Sequence, residues 1–136
     1  MAQLPFVDTH VHYGDAKKAP DAEYVNKLWL ASGVTTVRGV PAGPLDWALR
    51  ERERSAKNEI TAPHIYVYQP TFTGDGWKPQ AVLTPELGRQ WVQFVAGKGV
   101  DGVKFFGGDP DVVAEAFRHL SLSVEPNQNG HGHADL

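Results

Sequence analysis

An α/β fold built on a parallel sheet is what this sequence predicts, and three observations carry that expectation. Runs of β-branched and aromatic residues alternate with helical patterns four times along the chain. Each strand-plus-helix unit takes roughly 30 residues, the length of a βα crossover unit. The 136 residues are 41% hydrophobic and 21% charged, an ordinary globular balance at a length that can bury a core. A (β/α)8 barrel of about 250 residues allots this length to each of its eight units, so four units predict a partial (β/α)8 TIM barrel. A doubly wound open sheet shows the same alternation, and the period alone does not choose between the two.

The elements follow in order. Phe6-Val7-Asp8-Thr9-His10-Val11-His12 reads as the first strand. A helix over 22–32 places Val25, Leu28, Trp29 and Ser32 on one face, and Gly33 ends it. Val34-Thr35-Thr36-Val37-Arg38 is a strongly β-branched second strand. Gly43-Pro44 opens a helix to about Lys57, with Leu45, Ala48 and Leu49 inward. Ala62-Pro63 leads into strand three, Ile65-Tyr66-Val67-Tyr68, and a long loop over 69–83 follows. Thr84 is a natural N-cap with Pro85 in the first helical position, ahead of an apolar face of Leu87, Trp91, Phe94 and Val95. Residues 100–106 form strand four. Asp109-Pro110 then caps a helix lined by Val113, Ala116, Phe117 and Leu120.

This pattern divides the chain into 1–120, four barrel units, and 121–136, a polar stretch without periodicity read as a disordered or truncated tail. His131 and His133 make a short His-rich tract there, which is the alternative reading of that stretch. The net charge of −3 gives no electrostatic basis for a nucleic-acid or membrane-surface partner. No apolar run reaches the length of a membrane span, and the first residues lack the features of a signal peptide, so the expected location is cytoplasmic. With no cysteine, any metal must be held by nitrogen and oxygen ligands.

The chemistry concentrates at two strand ends. Alternation puts Phe6, Asp8, His10 and His12 on one side of strand one, facing a barrel interior, and Val7, Thr9 and Val11 on the other. His10 and His12 are two residues apart, with Cα atoms about 6.6 Å from each other, so both rings can reach one ion. The plainer alternative is a polar strand end. Lys104 lies in an otherwise apolar run that reads as a buried strand, where an ammonium needs a partner or chemical alteration. A salt bridge to Asp8 or Asp101, or an outward-reaching side chain, would satisfy it equally.

Phe6-Val7-Asp8-Thr9-His10-Val11-His12 resembles the strand-one metal motif of the amidohydrolase superfamily, an Asp-x-His-x-His after apolar residues. Gly33-Val34-Thr35-Thr36-Val37-Arg38 is similar to the second strand of its imidazolonepropionase-like and prolidase-like branch, and Gly102-Val103-Lys104-Phe105-Phe106 sits where the family's strand-four lysine falls. The resemblance spans about 6–117, the N-terminal half of such a barrel. It implies that His10, His12 and Lys104 are metal ligands, Lys104 as a carbamate bridging two ions, with Asp8 structural or orienting His10. One or two divalent ions are implied, zinc first, with manganese, iron, nickel or cobalt as alternatives. They would activate water against amide, lactam or imide C–N bonds of a small-molecule substrate.

The family's further histidines and aspartate come from strands five, six and eight, for which no candidates are visible, so no catalytic base is assigned and the chain is expected to be weakly active or inactive alone. His64 is expected at the far end of strand three, and His119 as a solvated cation near the last helix's C-terminus. Arg38, Gln69 and Thr71 fall at barrel-mouth positions, with Trp77 a candidate aromatic wall. A second reading is a non-catalytic half-barrel that pairs with another copy to cover its edges, a homo-oligomer serving as a binding or structural module. A third, a binding module on a doubly wound sheet, lacks both a Gly-x-Gly-x-x-Gly turn and a phosphate-binding Gly-x-x-x-x-Gly-Lys-Ser/Thr loop. Asp109 and Asp111 would repel an anion from the helix that follows Gly107-Gly108.

Overall fold

The computed structural model describes residues 5–13, 22–41, 44–71, 76–77 and 84–123. Strands and helices alternate along them: β1 (Phe6–Tyr13), α1 (Ala22–Ala31), β2 (Val34–Pro41), α2 (Leu45–Ala56), β3 (His64–Pro70), α3 (Pro85–Gly97), β4 (Gly102–Lys104) and α4 (Pro110–Ser123). The four strands form one sheet in the order β1-β2-β3-β4, every neighbouring pair parallel. The α/β class and the parallel sheet are as the sequence predicts. The order contains no reversal, the feature that makes a doubly wound sheet. Among the described residues, no helix is long and apolar enough to cross a membrane.

Local chemistry sets the ends of these elements. Gly33 follows α1 at φ 81°, a left-handed conformation that costs glycine nothing, and its N–H donates to the Leu30 carbonyl at 2.9 Å. The Thr84 hydroxyl accepts from Leu87 N at 3.3 Å, and Pro85 begins α3 without an N–H to satisfy. Asp109 accepts from Asp111 N at 2.9 Å, so its carboxylate occupies the start of α4 that an anion would need.

The core lies on one face of the sheet. Val11 of β1, Val37 of β2, and Ile65 and Val67 of β3 pack with Leu45 and Ala48 of α2, all at most 6% exposed. A second cluster joins α3 and α4 through Trp91, Val92, Val95, Val112 and Ala116, with Val103 and Phe105 of the β4 segment against it. The helices approach closely at Gly88, where a Cβ would lie 3.1 Å from the Val112 carbonyl oxygen. That approach turns Val112 inward, 1% exposed, in place of the expected Val113, and leaves Phe117 54% exposed. On α1 the buried residue is Asn26, while Leu28, expected inward, is 50% exposed. Alternation within one helix cannot say how much of its apolar face a neighbour will cover.

β4 is shorter than the 100–106 run. At its start the Asp101 carboxylate accepts from Val67 N at 2.7 Å and from the Arg52 guanidinium at 2.9 Å. Asp101 N in turn donates to the Val67 carbonyl at 2.9 Å. One side chain thus does the work of a ladder bond and ties α2 to the sheet. Past Lys104 the backbone leaves the ladder toward Gly107 and Gly108, both at positive φ. α4 runs on to Ser123, three residues into the stretch read as a tail. The remainder of that stretch, with His131 and His133, lies outside the described residues, as does most of the 69–83 loop.

Candidate metal centre at the strand ends

β1 does not keep a simple alternation. Its register with β2 runs Asp8↔Val37 and then Val11↔Gly39, three residues against two. This bulge falls on Thr9-His10 and breaks the expected grouping of Asp8 with the two histidines. Asp8 is level with Val37, whose side chain is in the core, and its Oδ1 accepts from His10 N at 3.1 Å. A bulge re-aims the side chains beside it. Here it leaves the His10 and His12 rings stacked, centroids 5.3 Å apart and planes at 27°. Asp8 therefore holds the backbone of the bulge.

Lys104 comes to the same place from β4. Its Nζ contacts His10 Nε2 and lies 3.4 Å from His10 Nδ1, joining residues 94 apart in sequence. Neighbouring strands are about 4.8 Å apart, so in a flat sheet β1 and β4 would be separated by about 14 Å. Extended lysine and histidine side chains with the contact between them could bridge roughly 14 Å only by lying in the sheet plane, whereas strand side chains stand roughly perpendicular to it, so the contact requires a sheet curled over this face. An ammonium donates only to a ring nitrogen bearing a lone pair, and that lone pair is the one a metal would take. Asp101, a predicted salt-bridge partner for Lys104, is instead bound to Arg52.

Two residues that the sequence did not single out shape this corner. The Phe106 ring lies under the Lys104 ammonium, 4.8 Å from Nζ to the ring centroid. Tyr68 covers Gly102 so closely that a Cβ there would run into its ring, and the Arg38 guanidinium lies over Tyr68, 4.7 Å from its centroid. The spacing could have exposed Phe106, two residues beyond Lys104, but the packing of Tyr68 on Gly102 follows from the β3–β4 register.

The remaining candidates separate. Thr71 clamps the end of β4, its N–H donating to the Lys104 carbonyl at 2.8 Å and its hydroxyl accepting from Phe106 N at 3.4 Å. Arg38 Nε donates to the Thr9 carbonyl at 3.1 Å, beside the bulge. Gln69 is not at the open mouth. It is 4% exposed and level with Val103, on the helix-covered side. Trp77 packs on Phe94 of α3, ring centroids 5.5 Å apart, within the helical cluster. His64 begins β3 at the opposite end of the sheet, where it lines a small hollow with Arg52, Tyr66 and Asp101. His119, expected in solvent near the last helix's C-terminus, is half-buried against Glu115 at 3.1 Å, a turn before the end of α4.

The donors present suit part of a metal site: two imidazoles and a lysine at one strand-end corner, with no thiolate. Among the described residues no group of three or more His, Asp or Glu side chains converges on one point. Fold and site together define a parallel α/β chain with a His-x-His pair facing a lysine across its open, curled face. No family model matches the chain, and no curated protein matches it.

Proposed function

We propose that this chain carries the strand-one and strand-four part of a metal-dependent hydrolase site of the amidohydrolase type, on four units of a (β/α)8 barrel. The observation that supports the reading most is the meeting of Lys104 with His10 at the C-terminal ends of parallel strands. That is the end at which barrel enzymes hold their chemistry. A strand order without reversal supports a barrel over a doubly wound sheet.

In this reading His10 and His12 hold a divalent ion, zinc by preference, and Lys104 as a carbamate adds oxygen donors toward a second. The metal would supply Lewis-acid polarisation of a carbonyl and activation of water, the chemistry that hydrolyses amide, lactam or imide C–N bonds. The chain's own residues position the donors. Asp8 fixes the backbone of His10, Thr71 fixes the strand end that bears Lys104, and the curled sheet leaves the corner open to a small-molecule substrate. Because the described residues offer only this part of a ligand set, weak or no turnover is expected from the chain alone.

Metal content per chain, measured on the purified protein and on a His10→Ala/His12→Ala variant of matching circular dichroism, tests the reading. About one tightly held equivalent, lost in the variant, is the expected outcome. Absence of metal, or metal retained by the variant, would overturn it.

A further inference from the structure

We infer that two copies of this chain pair edge to edge, β4 of each against β1 of the other, and close their open faces into one interior. Parallel sheets are normally covered on both faces, whereas the described residues of this one build a core on one side only. Among the described residues, both end strands, β1 and β4, have one edge unpaired. A twofold axis along the strands sets the partner's β1 beside β4, parallel to it and with C-terminal ends together. The curl required by the Lys104–His10 contact already turns these two edges over the same face.

The apolar surface is distributed as that pairing needs. Phe6 is 53% exposed on β1, and Tyr24 and Leu28 are 52% and 50% exposed on α1. Phe106, just past β4, is 64% exposed and Phe117 on α4 54%. The helices between, α2 and α3, carry no exposed large hydrophobic residue among those described. Closing the pair brings α4 of one copy beside α1 of the other, so Phe117 meets Tyr24 and Leu28. At about 200 Å² per aromatic residue, the exposed parts of the four aromatics come to about 450 Å² per chain. A standard interface buries about 800 Å² per partner, so these side chains supply more than half of one before the strand edges are included.

The pairing has a consequence for the metal corner, and this part rests on the hydrolase reading. In the closed pair the partner's His10 and the partner's His12 stand on the strand next to Lys104. One mouth then holds four imidazoles and two lysines, a ligand set that a single chain does not assemble.

Light scattering on the purified full chain, with and without chelator, is the test. Twice the chain mass in both conditions is expected, falling to one chain mass in Phe117→Asp and in Leu28→Asp, each checked by circular dichroism. Since the chain has no cysteine, Leu28→Cys and Phe117→Cys chains can be mixed and treated with a short bis-maleimide. The mixed pair should cross-link well ahead of either variant alone. A monomer at all concentrations would overturn the inference while leaving the metal result intact. A dimer indifferent to both substitutions, or without the mixed cross-link, would overturn it as well. A dimer of the parent chain that holds no metal would uphold the pairing and sink the hydrolase reading.

Discussion

The two faces of the sheet are made by alternate residues of the same strands, yet they live in different environments. On the helix side Val37, Ile65 and Val67 are at most 4% exposed. On the other side Tyr66, between Ile65 and Val67, is 44% exposed, and His10, His12 and Lys104 meet in the open. Burial of apolar area, at about 25 cal/mol per Å², is concentrated on the first face. The second face contributes little to holding the chain together and is correspondingly able to carry polar groups. Stability and chemistry are separated here by one residue's step along a strand.

The largest expected effect comes from attacking the covered side. Trp91 of α3 is fully buried between the sheet and α4, so Trp91→Ala should cost about 3–5 kcal/mol in urea unfolding. A loss under 1 kcal/mol would mean that the helical cluster contributes less than its burial implies. Gly102→Ala is intermediate and informative because it acts on the open side through sterics. The new methyl must displace the Tyr68 ring and with it the Arg38 guanidinium, for about 1–3 kcal/mol and a changed tyrosine fluorescence. Unchanged stability and spectrum would show that the open face has no fixed packing at that point. The smallest effect belongs to Tyr66→Ala, within about 0.5 kcal/mol of the parent at dilutions where the chain is a monomer and larger where two copies close over the open face. A large loss there would reveal that something covers the face in solution.

Much of the helix-side architecture is legible in the sequence because it rests on local rules. Thr84-Pro85 announces the start of α3, Gly33 the end of α1, and β-branched runs mark the first three strands. The errors share a cause. Val112 displaces Val113 because Gly88 admits α4 on one side, and Leu28 stays exposed because no described element packs over it. Gln69 looked like a mouth residue on position alone, but the register with Val103 turns it to the helices. The bulge in β1 was invisible because nothing in Asp8-Thr9-His10 forbids regular alternation, and only pairing with β2 reveals the extra residue.

The candidate site divides along the same line. His10, His12 and Lys104 stood out because polar and basic residues in apolar strands are costly unless they have partners. Which partners they have was outside the reach of the sequence. Asp101, equally near to Lys104 in the chain, is committed to Arg52 and Val67. Phe106 and Thr71 entered the site through the path of the backbone after β4 and β3, which no periodicity encodes.

By itself, then, the sequence determined that strands and helices alternate, where most of them begin and end, and which side chains are candidates for chemistry. Those properties depend on dihedral preference, capping and hydrophobic period, all of which act within a few residues. Tertiary structure alone decided the order of the strands, the bulge that re-aims the histidine pair, and the curl that brings Lys104 against His10. These arise from pairing and packing between segments as much as 94 residues apart. At that range, loop-closure entropy and shape complementarity decide what meets, and local preference has no say.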